Sequence, residues 1–364
     1  MPALVTTDYR SILLLKPCCI GDVIMATPLL AALRRAYPAA ILDWAVSSSG
    51  LGAIGAHPSL RRVIDTGPRA NPAAHPRSLL TLIGLLRRGR YDLVVVPDRS
   101  PLLGLATLLA GIPARAGLDS AGRGFAYTTR APIIPAEVRH EAAIYLEVGR
   151  ALGIDVHECW ANVPPSPAAD QAATQVIAVA RLNEAPFVII HPGGGVNAGM
   201  SMTSKRWPPQ HFAAFADRLA AQGLRTVIVG AASDREVVAQ VKANTAAPVT
   251  DLTEQLTLPT IGALAARAVL YVGNDNGVAH LAAASGGRVL MIFGPSDPRR
   301  YAPFVPPDRA RAVWREVTLP AAGVVAGTPT HFDWERDGVG VDEVWNAAQA
   351  LLRQRGSSAA MLAQ

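Results

Sequence analysis

Short apolar runs alternate with longer helical stretches along this chain, a rhythm that predicts a parallel α/β protein. Ser11–Leu15, Ile41–Val46 and Leu93–Val96 are apolar without alternation, as strands covered on both faces are. Pro28–Ala36, Leu79–Arg88 and Pro101–Ala110 read as helices between and after them, and residues 137–152 as an amphipathic helix closed by Gly153. Residues 161–170, ANVPPSPAAD, read as a linker. The rhythm then restarts, with strands Phe187–Ile190, Thr226–Val229, Val269–Val272 and Val289–Phe293 and helices Gln210–Gln222, Asp234–Ala243 and Leu258–Ala266. A last helix, Val341–Arg355, precedes a tail expected to be disordered. The prediction is two α/β domains, 1–165 and 166–340, then a helix and tail at 341–364. In such sheets ligands bind at the carboxyl ends of strands, which points to a cleft between the domains.

Composition narrows the class. Of 364 residues, 50% are hydrophobic and 17% charged, which indicates packed cores and not a disordered chain. The net charge of +6 suits anionic substrates or an anionic membrane surface, but no Lys/Arg-rich run studded with aromatics appears, so no nucleic-acid partner is expected. The cysteines are Cys18, Cys19 and Cys159; they lack zinc spacing, make no disulfide framework and fit a reducing cytoplasm. The apolar stretch Ile12–Leu15 is too brief for a signal-peptide core, and no window reaches the length of a membrane span, so the expectation is a cytoplasmic, soluble protein that could rest on a membrane.

Candidate chemistry concentrates in the loops after strands. In AVLYVGNDNGVAHLAAA (268–284), an apolar run meets a polar turn, Asn274-Asp275-Asn276-Gly277, and a helix starting near Val278 with His280 close behind. Free backbone N–H groups and the helix dipole make such a turn an anion site, although a helix cap explains the same residues. His191-Pro192-Gly193-Gly194-Gly195 lets a phosphate or sugar approach the backbone, or simply makes a loop. Thr203, Ser204 and Lys205 offer two hydroxyls and a point charge to a diphosphate; a surface lysine is the alternative. Glu236 could accept from ribose hydroxyls or be an ordinary first-turn glutamate.

In the first half, Lys16-Pro17-Cys18-Cys19-Ile20-Gly21-Asp22 leads to a helix that Thr27 and Pro28 are expected to start, leaving Asp22 in the loop. There it is either a turn aspartate or a base for an attacking hydroxyl. Gly50 to Gly55 spells G-x-G-x-x-G, but it follows the second strand and Pro58 interrupts the helix that should begin there. It reads as a mobile glycine loop and not as a nicotinamide-dinucleotide site. No His/Cys/Asp/Glu cluster has metal-site spacing.

Together these residues resemble the ADP-heptose:lipopolysaccharide heptosyltransferases, glycosyltransferase family nine. The pattern K-x-x-x-I-G-D-V-x-x-x-T-P-x-L-x-A-L-R-x-x-Y-P runs from Lys16 to Pro38, H-P-G…K-R-W-P from His191 to Pro208, and D-x-G-x-x-H-L-A-A-A from Asp275 to Ala284. His57-Pro58-Ser59-Leu60 with Val63-Ile64 is similar to a further family segment, so the likeness spans roughly 11–300, in order. It implies a GT-B architecture, two Rossmann-like domains with parallel sheets facing across a cleft, acceptor on the first and sugar nucleotide on the second. It also implies an inverting, metal-independent transfer with no cofactor, in which the sugar nucleotide is a substrate.

By the same resemblance Asp22 is the general base. Lys205 and the Asn276-Gly277 turn hold the diphosphate with Gly193, Gly194, Thr203, Ser204, Asp275 and His280 around it, and Glu236 or Asp234 meets the ribose. Lys16, Gly21, Arg115 and His140 are the acceptor-side candidates. The implied partners are an ADP-sugar and an anionic lipopolysaccharide-type glycolipid at the inner face of the inner membrane. Two departures stand out: Asn276 occupies a position where the family commonly has Thr or Ser, and the chain diverges after Pro298. The rivals are a relative using another sugar nucleotide or acceptor, a non-catalytic sugar-nucleotide-binding protein, and an oxidoreductase, which the glycine context disfavours.

Overall fold

A computed structural model of the chain describes residues 8–197, 200–317 and 332–362, with side chains up to 195 and from 202 to 353 within those ranges. It divides into two compact units, Met1–Val163 and Pro164–Gln364.

The first unit is a doubly wound sheet. Its strands are β1 (Ser11–Leu15), β2 (Ile41–Val46), β3 (Arg62–Asp65), β4 (Leu93–Val96), β5 (Ala114–Ser120) and β6 (Thr129–Ile133), in the order β3-β2-β1-β4-β5-β6. All neighbours are parallel, with Leu14 of β1 opposite Trp44 of β2 on one side and Val95 of β4 on the other. The chain winds outward from β1 to β3 and returns to β1's other side with β4. The carboxyl ends of β1 and β4 therefore form the switch point where open α/β sheets bind ligands. Helices α1 (Ile20–Ala36), α2 (Ser48–Ile54), α3 (Pro76–Gly89), α4 (Pro101–Leu109) and α5 (Glu141–Ala151) cover the sheet. On one face Leu82 and Leu86 of α3 and Leu103 and Ala106 of α4 pack on Leu13, Leu15, Val94 and Val96; α1 packs along α5.

The second unit repeats the plan. Here β7 (Phe187–His191), β10 (Arg225–Ile228), β11 (Val249–Asp251), β12 (Leu270–Asn274), β13 (Val289–Ile292) and β14 (Ala310–Val313) run in the order β11-β10-β7-β12-β13-β14, again all parallel. A small ribbon, β8 (Val196–Asn197) and β9 (Met200–Ser201), sits apart. Its helices are α6 (Pro167–Val179), α7 (Pro209–Ala221), α8 (Arg235–Asn244), α9 (Leu258–Arg267), α10 (Gly277–Ala284) and the short α11 (Pro298–Tyr301). Ile190, Val272 and Ile292 meet Phe212, Phe215 and Leu219 of α7, and the C-terminal helix Val341–Leu362 adds Val344, Ala348 and Leu351 to that core. That helix continues to Leu362, so most of the tail expected to be disordered after Arg355 is helical instead, its 357–362 run (SSAAML) ending in good helix formers.

Several elements differ from the sequence expectation for identifiable reasons. Helix α1 starts at Ile20, not Pro28, and runs through the proline. Pro28 has no N–H for the Ile24 carbonyl, and the Thr27 hydroxyl donates to that carbonyl instead, at 2.7 Å. The residue expected to cap the helix thus repairs it. The Gly50–Gly55 segment is largely helix, not a mobile loop: a Cβ on Gly50 would sit 3.1 Å from Val46 Cβ, so the glycine lets α2 lie close against β2. The linker is shorter than expected, because Ser166 caps α6 by accepting from Ala169 N, and Pro167 opens that helix. Strands β3, β5, β6, β11 and β14 are short or lack an apolar run, ARAGLDS for β5, and carried no periodic signal.

One buried charge anchors the first sheet. Asp43 on β2 is fully buried and accepts from Arg61 Nε at 3.0 Å, Arg62 Nε at 2.8 Å and Tyr91 Oη at 2.7 Å. Burial works to raise its pKa, but the Arg61, Tyr91 and Arg62 hydrogen bonds outweigh this and hold it below the usual carboxylate range. Its contribution is therefore present above the unfolded value of about pH 4 and is lost as pH falls through the lowered folded value. Asp43→Ala is expected to cost ~2 kcal/mol, less than a fully buried pair because both arginine heads can rehydrate. Urea unfolding at pH 7 measures it, and a cost below about 0.5 kcal/mol would mean the network is not stabilising.

Candidate active site

In the first unit the polar residues gather at the carboxyl edge of β1 and β4. Residues 16–19 leave β1, Cys19 occupies the N-cap position of α1, and Asp22 falls in the helix's first turn, where the dipole favours a carboxylate. Tyr145, from α5, donates to Asp22 Oδ1 at 2.6 Å. Among the described residues Oδ2 accepts no hydrogen bond. Gly21 precedes Asp22 in the same turn, where a side chain-free residue leaves the backbone accessible.

Lys16 is buried and donates to Asp98 Oδ2 at 2.8 Å, and its ammonium lies 5.0 Å from the centre of the Tyr145 ring. Burial opposes its charge, yet Asp98 and Asp22 outweigh that and raise its pKa, while Lys16 in turn holds Asp98 below the usual range against burial. Burial, then the Asp22 carboxylate, pushes Tyr145 well above an ordinary tyrosine, so it remains a donor. Arg99, following Asp98, makes a two-pronged pair with the buried Glu141 of α5, and His140 caps that helix by accepting from Ala142 N at 3.2 Å. Asp98, Arg99, Glu141 and Tyr145 were not legible as site residues in the sequence. Their only signal was a Pro97-Asp98-Arg99 turn after an apolar strand and an acid four residues before a tyrosine in a helix.

Arg115 stands apart from these. It lies at the amino end of β5, the sheet edge opposite Asp22, and its guanidinium donates to the carbonyls of Ile112, Pro113 and Ala126. It ties its own loop, and the acceptor role expected for it has no support from that position. Cys18 and Cys19, expected as free thiols, are joined to each other as neighbours in the turn before α1, which brings their sulfurs within bonding reach; Cys159 is a free, buried thiol.

In the second unit the glycine turn follows β7. Gly194 has φ +96°, and a Cβ there would come within 2.6 Å of Asn276 Nδ2; one on Gly193 would come within 2.1 Å of Asp234 Cγ. The turn is pressed between those two side chains, which only glycine permits. Asp234 is buried and accepts from Gly194 N at 3.2 Å, Ala231 N at 2.9 Å and Arg206 Nη2 at 3.3 Å, with His191 Nε2 3.5 Å away. Burial opposes its ionisation, but the hydrogen bond and charge of His191 and the backbone donors hold its pKa far below the usual range. Of the two acids expected to meet a ribose, Asp234 instead fastens the glycine turn, whereas Glu236 is exposed in the first turn of α8.

Lys205 closes the short turn Thr203–Lys205 and donates to Asp275 Oδ2 at 2.6 Å; Ser296 donates to the same oxygen at 2.6 Å. Burial works against the Asp275 charge, and Lys205 and Ser296 more than compensate, keeping it below the usual range. Asp275 therefore aims the lysine. Asn276 caps α10, its Oδ1 accepting from Val278 N at 3.0 Å and Ala279 N at 3.1 Å. Two N–H groups expected to be free for an anion are thus already satisfied, because an asparagine at the N-cap supplies its own acceptor. Gly277 opens the helix, and His280 is buried one turn in. Thr203 is exposed, and the Ser204 hydroxyl is buried with no hydrogen-bond partner among the described residues.

Asn274 of the polar turn, together with Arg206 and Trp207 of the K-R-W-P segment, holds this half rigid. Asn274 donates to the carbonyls of Pro192 and Gly193 and accepts from Trp207 N; Arg206 donates to Gly194 O at 2.8 Å; Trp207 is fully buried, its indole donating to Val339 O. A cavity of about 910 Å³ opens at the amino ends of β7, β10 and β12, beside Phe187, Leu224 and Val269, the sheet edge away from the glycine turn. Among the described residues no three His/Cys/Asp/Glu side chains group as metal ligands, and no helix is long and apolar enough to cross a membrane.

A helix-borne carboxylate with an open oxygen can take a proton in the first unit, and a fixed lysine beside a glycine turn can meet an anion in the second. The model of glycosyltransferase family 9 (heptosyltransferase) matches residues 79–321. The chain is similar to lipopolysaccharide heptosyltransferase 2 of Escherichia coli, 26% identical over 315 residues that cover 83% of this chain and 87% of the relative. Lipopolysaccharide heptosyltransferase 3 of Escherichia coli is 24% identical over 284 residues, 76% of this chain and 81% of that one. Among solved structures, a family 9 glycosyltransferase from Veillonella parvula shares the fold with TM-score 0.78 at 21% identity, covering 95% of this chain and 98% of that one. Escherichia coli ADP-heptose lps heptosyltransferase II does so with TM-score 0.71 at 23% identity, covering 95% and 100%. The protein is a glycosyltransferase with the two α/β domains of the GT-B architecture. It belongs to glycosyltransferase family 9, the heptosyltransferases.

Proposed function

We propose that this chain moves heptose from ADP-heptose to the core of a lipopolysaccharide-type glycolipid, with inversion and without a divalent metal. The observation that carries the reading is the Asp22 carboxylate, one oxygen fixed by Tyr145 and the other open, in the first turn of α1. Asp22 takes the proton of an acceptor hydroxyl. The freed oxygen pair bonds to the anomeric carbon as the carbon–oxygen bond to the diphosphate breaks, so one displacement inverts that centre. ADP leaves with the bonding pair, and Lys205, aimed by Asp275, meets its growing charge beside the α10 N-terminus. A lysine in that place supplies charge stabilisation that other transferases take from a cation.

Gly193 and Gly194 give the diphosphate access to backbone, the exposed Thr203 donates its hydroxyl to it with Ser204 beside it in the turn, Gly277 and His280 complete the site, and Glu236 accepts from the ribose. Gly21 and His140 lie on the acceptor side, and Lys16 acts through Asp98 and Tyr145. The ADP-bound and ADP-2-deoxy-2-fluoro-heptose-bound WaaC of Escherichia coli supports the choice of donor. The reading places the enzyme at the cytoplasmic face of the inner membrane, where such an acceptor is built.

The test is a screen of nucleotide sugars and core glycolipids with EDTA present, reading released nucleoside diphosphate by mass spectrometry. ADP-heptose should be consumed and UDP- and GDP-sugars left intact. Turnover of another nucleotide sugar replaces the donor; saturable binding without turnover across the panel makes this a binding protein.

A further inference from the structure

We propose that the outer surface of α3 and α4 is a docking face for an anionic lipid bilayer. Helix α4 buries Leu103 and Ala106 in the core but turns Leu102, Leu108 and Leu109 outward, all well exposed, with the half-buried Leu105 between them. These positions follow helical spacing, so α4 is apolar on its solvent side too. Leu80 on the adjoining α3 is 70% exposed. The two helices lie side by side on one sheet face, and Arg87 of α3 ties them by donating to Leu109 O at 2.8 Å. The loop between β5 and β6 joins the same face. Tyr127 packs against Gly104 of α4, and Phe125, two residues earlier in the same loop, is 55% exposed.

Charge identifies the occupant. No acid occurs from residue 66 to 91 or from 99 to 118, whereas α3 and its ends carry Arg77, Arg87, Arg88 and Arg90, all exposed. Exposed leucines rimmed by arginines match the pattern of helices that lie in a membrane interface, apolar side chains among acyl chains and guanidiniums among phosphates. A second copy of this chain would bring the same arginines face to face, which like charges oppose. A protein partner is disfavoured because leucine is under-represented among the residues that anchor such interfaces. This surface stands whether or not the heptosyl-transfer reading holds.

Co-sedimentation of the full chain with phosphatidylglycerol/phosphatidylethanolamine vesicles and with phosphatidylcholine vesicles tests it. Affinity for the anionic vesicles should exceed that for the neutral ones by ~10-fold or more and fall with added salt. The pair Leu80→Gln with Leu109→Gln, and separately Arg87→Glu with Arg88→Glu, should each weaken anionic-vesicle binding by ~10-fold while ADP binding is unchanged. Anionic-vesicle binding that is absent, or equal in wild type and both variants, overturns the proposal. So does a dimer in light scattering that the leucine pair abolishes, which would assign the face to a second copy.

Discussion

Replacing Asp22 by alanine is expected to lower kcat by ~10²–10⁴-fold while the ADP-sugar Kd changes less than about twofold. The split follows from where the residue sits. Asp22 belongs to the first unit's switch point and its fixed partner is Tyr145, whereas the groups assigned to the diphosphate, Lys205 and the glycine turn, belong to the second unit. A base acts only as the acceptor proton is transferred, so its loss removes transition-state stabilisation without loosening the donor. Asp22→Asn keeps the size and the Tyr145 contact and should be equally inactive. Isothermal titration with ADP alongside steady-state kinetics separates the two effects. A large loss of donor affinity with turnover retained would make Asp22 a binding residue.

Lys205→Ala has the next largest expected effect, on both terms. A charge-assisted contact to a phosphate contributes about 1.5–3 kcal/mol, so donor Kd should rise by ~10–100-fold, and kcat should fall as well because the leaving group gains charge in the transition state. The substitution also strands Asp275, which is buried and, among the described residues, keeps only Ser296 as a side-chain donor. Some loss of stability is therefore expected, and Lys205→Ala with Asp275→Asn relieves it by removing the unpaired carboxylate. If the double variant regains its unfolding midpoint but not its donor affinity, the affinity loss belongs to the lysine. Unchanged donor Kd in either variant would reject the diphosphate role.

The strands at the centre of each sheet were legible because burial on both faces leaves an uninterrupted apolar run, as in Leu93–Val96 and Phe187–Ile190. Edge strands such as β3 and β14 were not, since half-exposed positions dilute the pattern. The start of α1 was misplaced because Thr27-Pro28 has the chemistry of a helix beginning. Only the folded chain shows the threonine hydroxyl standing in for proline's missing donor. In the site, single residues were readable from their loops, but their partners were not. Tyr145 reaches Asp22 across 123 residues and Asp275 reaches Lys205 across 70, pairings that strand order creates. The same cause separates Asp234 from Glu236: two acids two positions apart, one turned inward to fasten a glycine loop and one outward. Arg115, an acceptor-side candidate by resemblance, lies at the amino end of β5 with its guanidinium on the carbonyls of its own loop, because likeness in sequence carries no information on which end of a strand a residue occupies.

A single-turnover reaction between the wild-type chain, ADP-heptose and a core glycolipid lacking its terminal heptose, in EDTA, is the most direct test of heptosyl transfer driven by Asp22. Mass spectrometry should find one ADP released for each heptose gained by the glycolipid, with Asp22→Asn leaving both at background. ADP release without a heptosylated glycolipid, or undiminished product from Asp22→Asn, would contradict it.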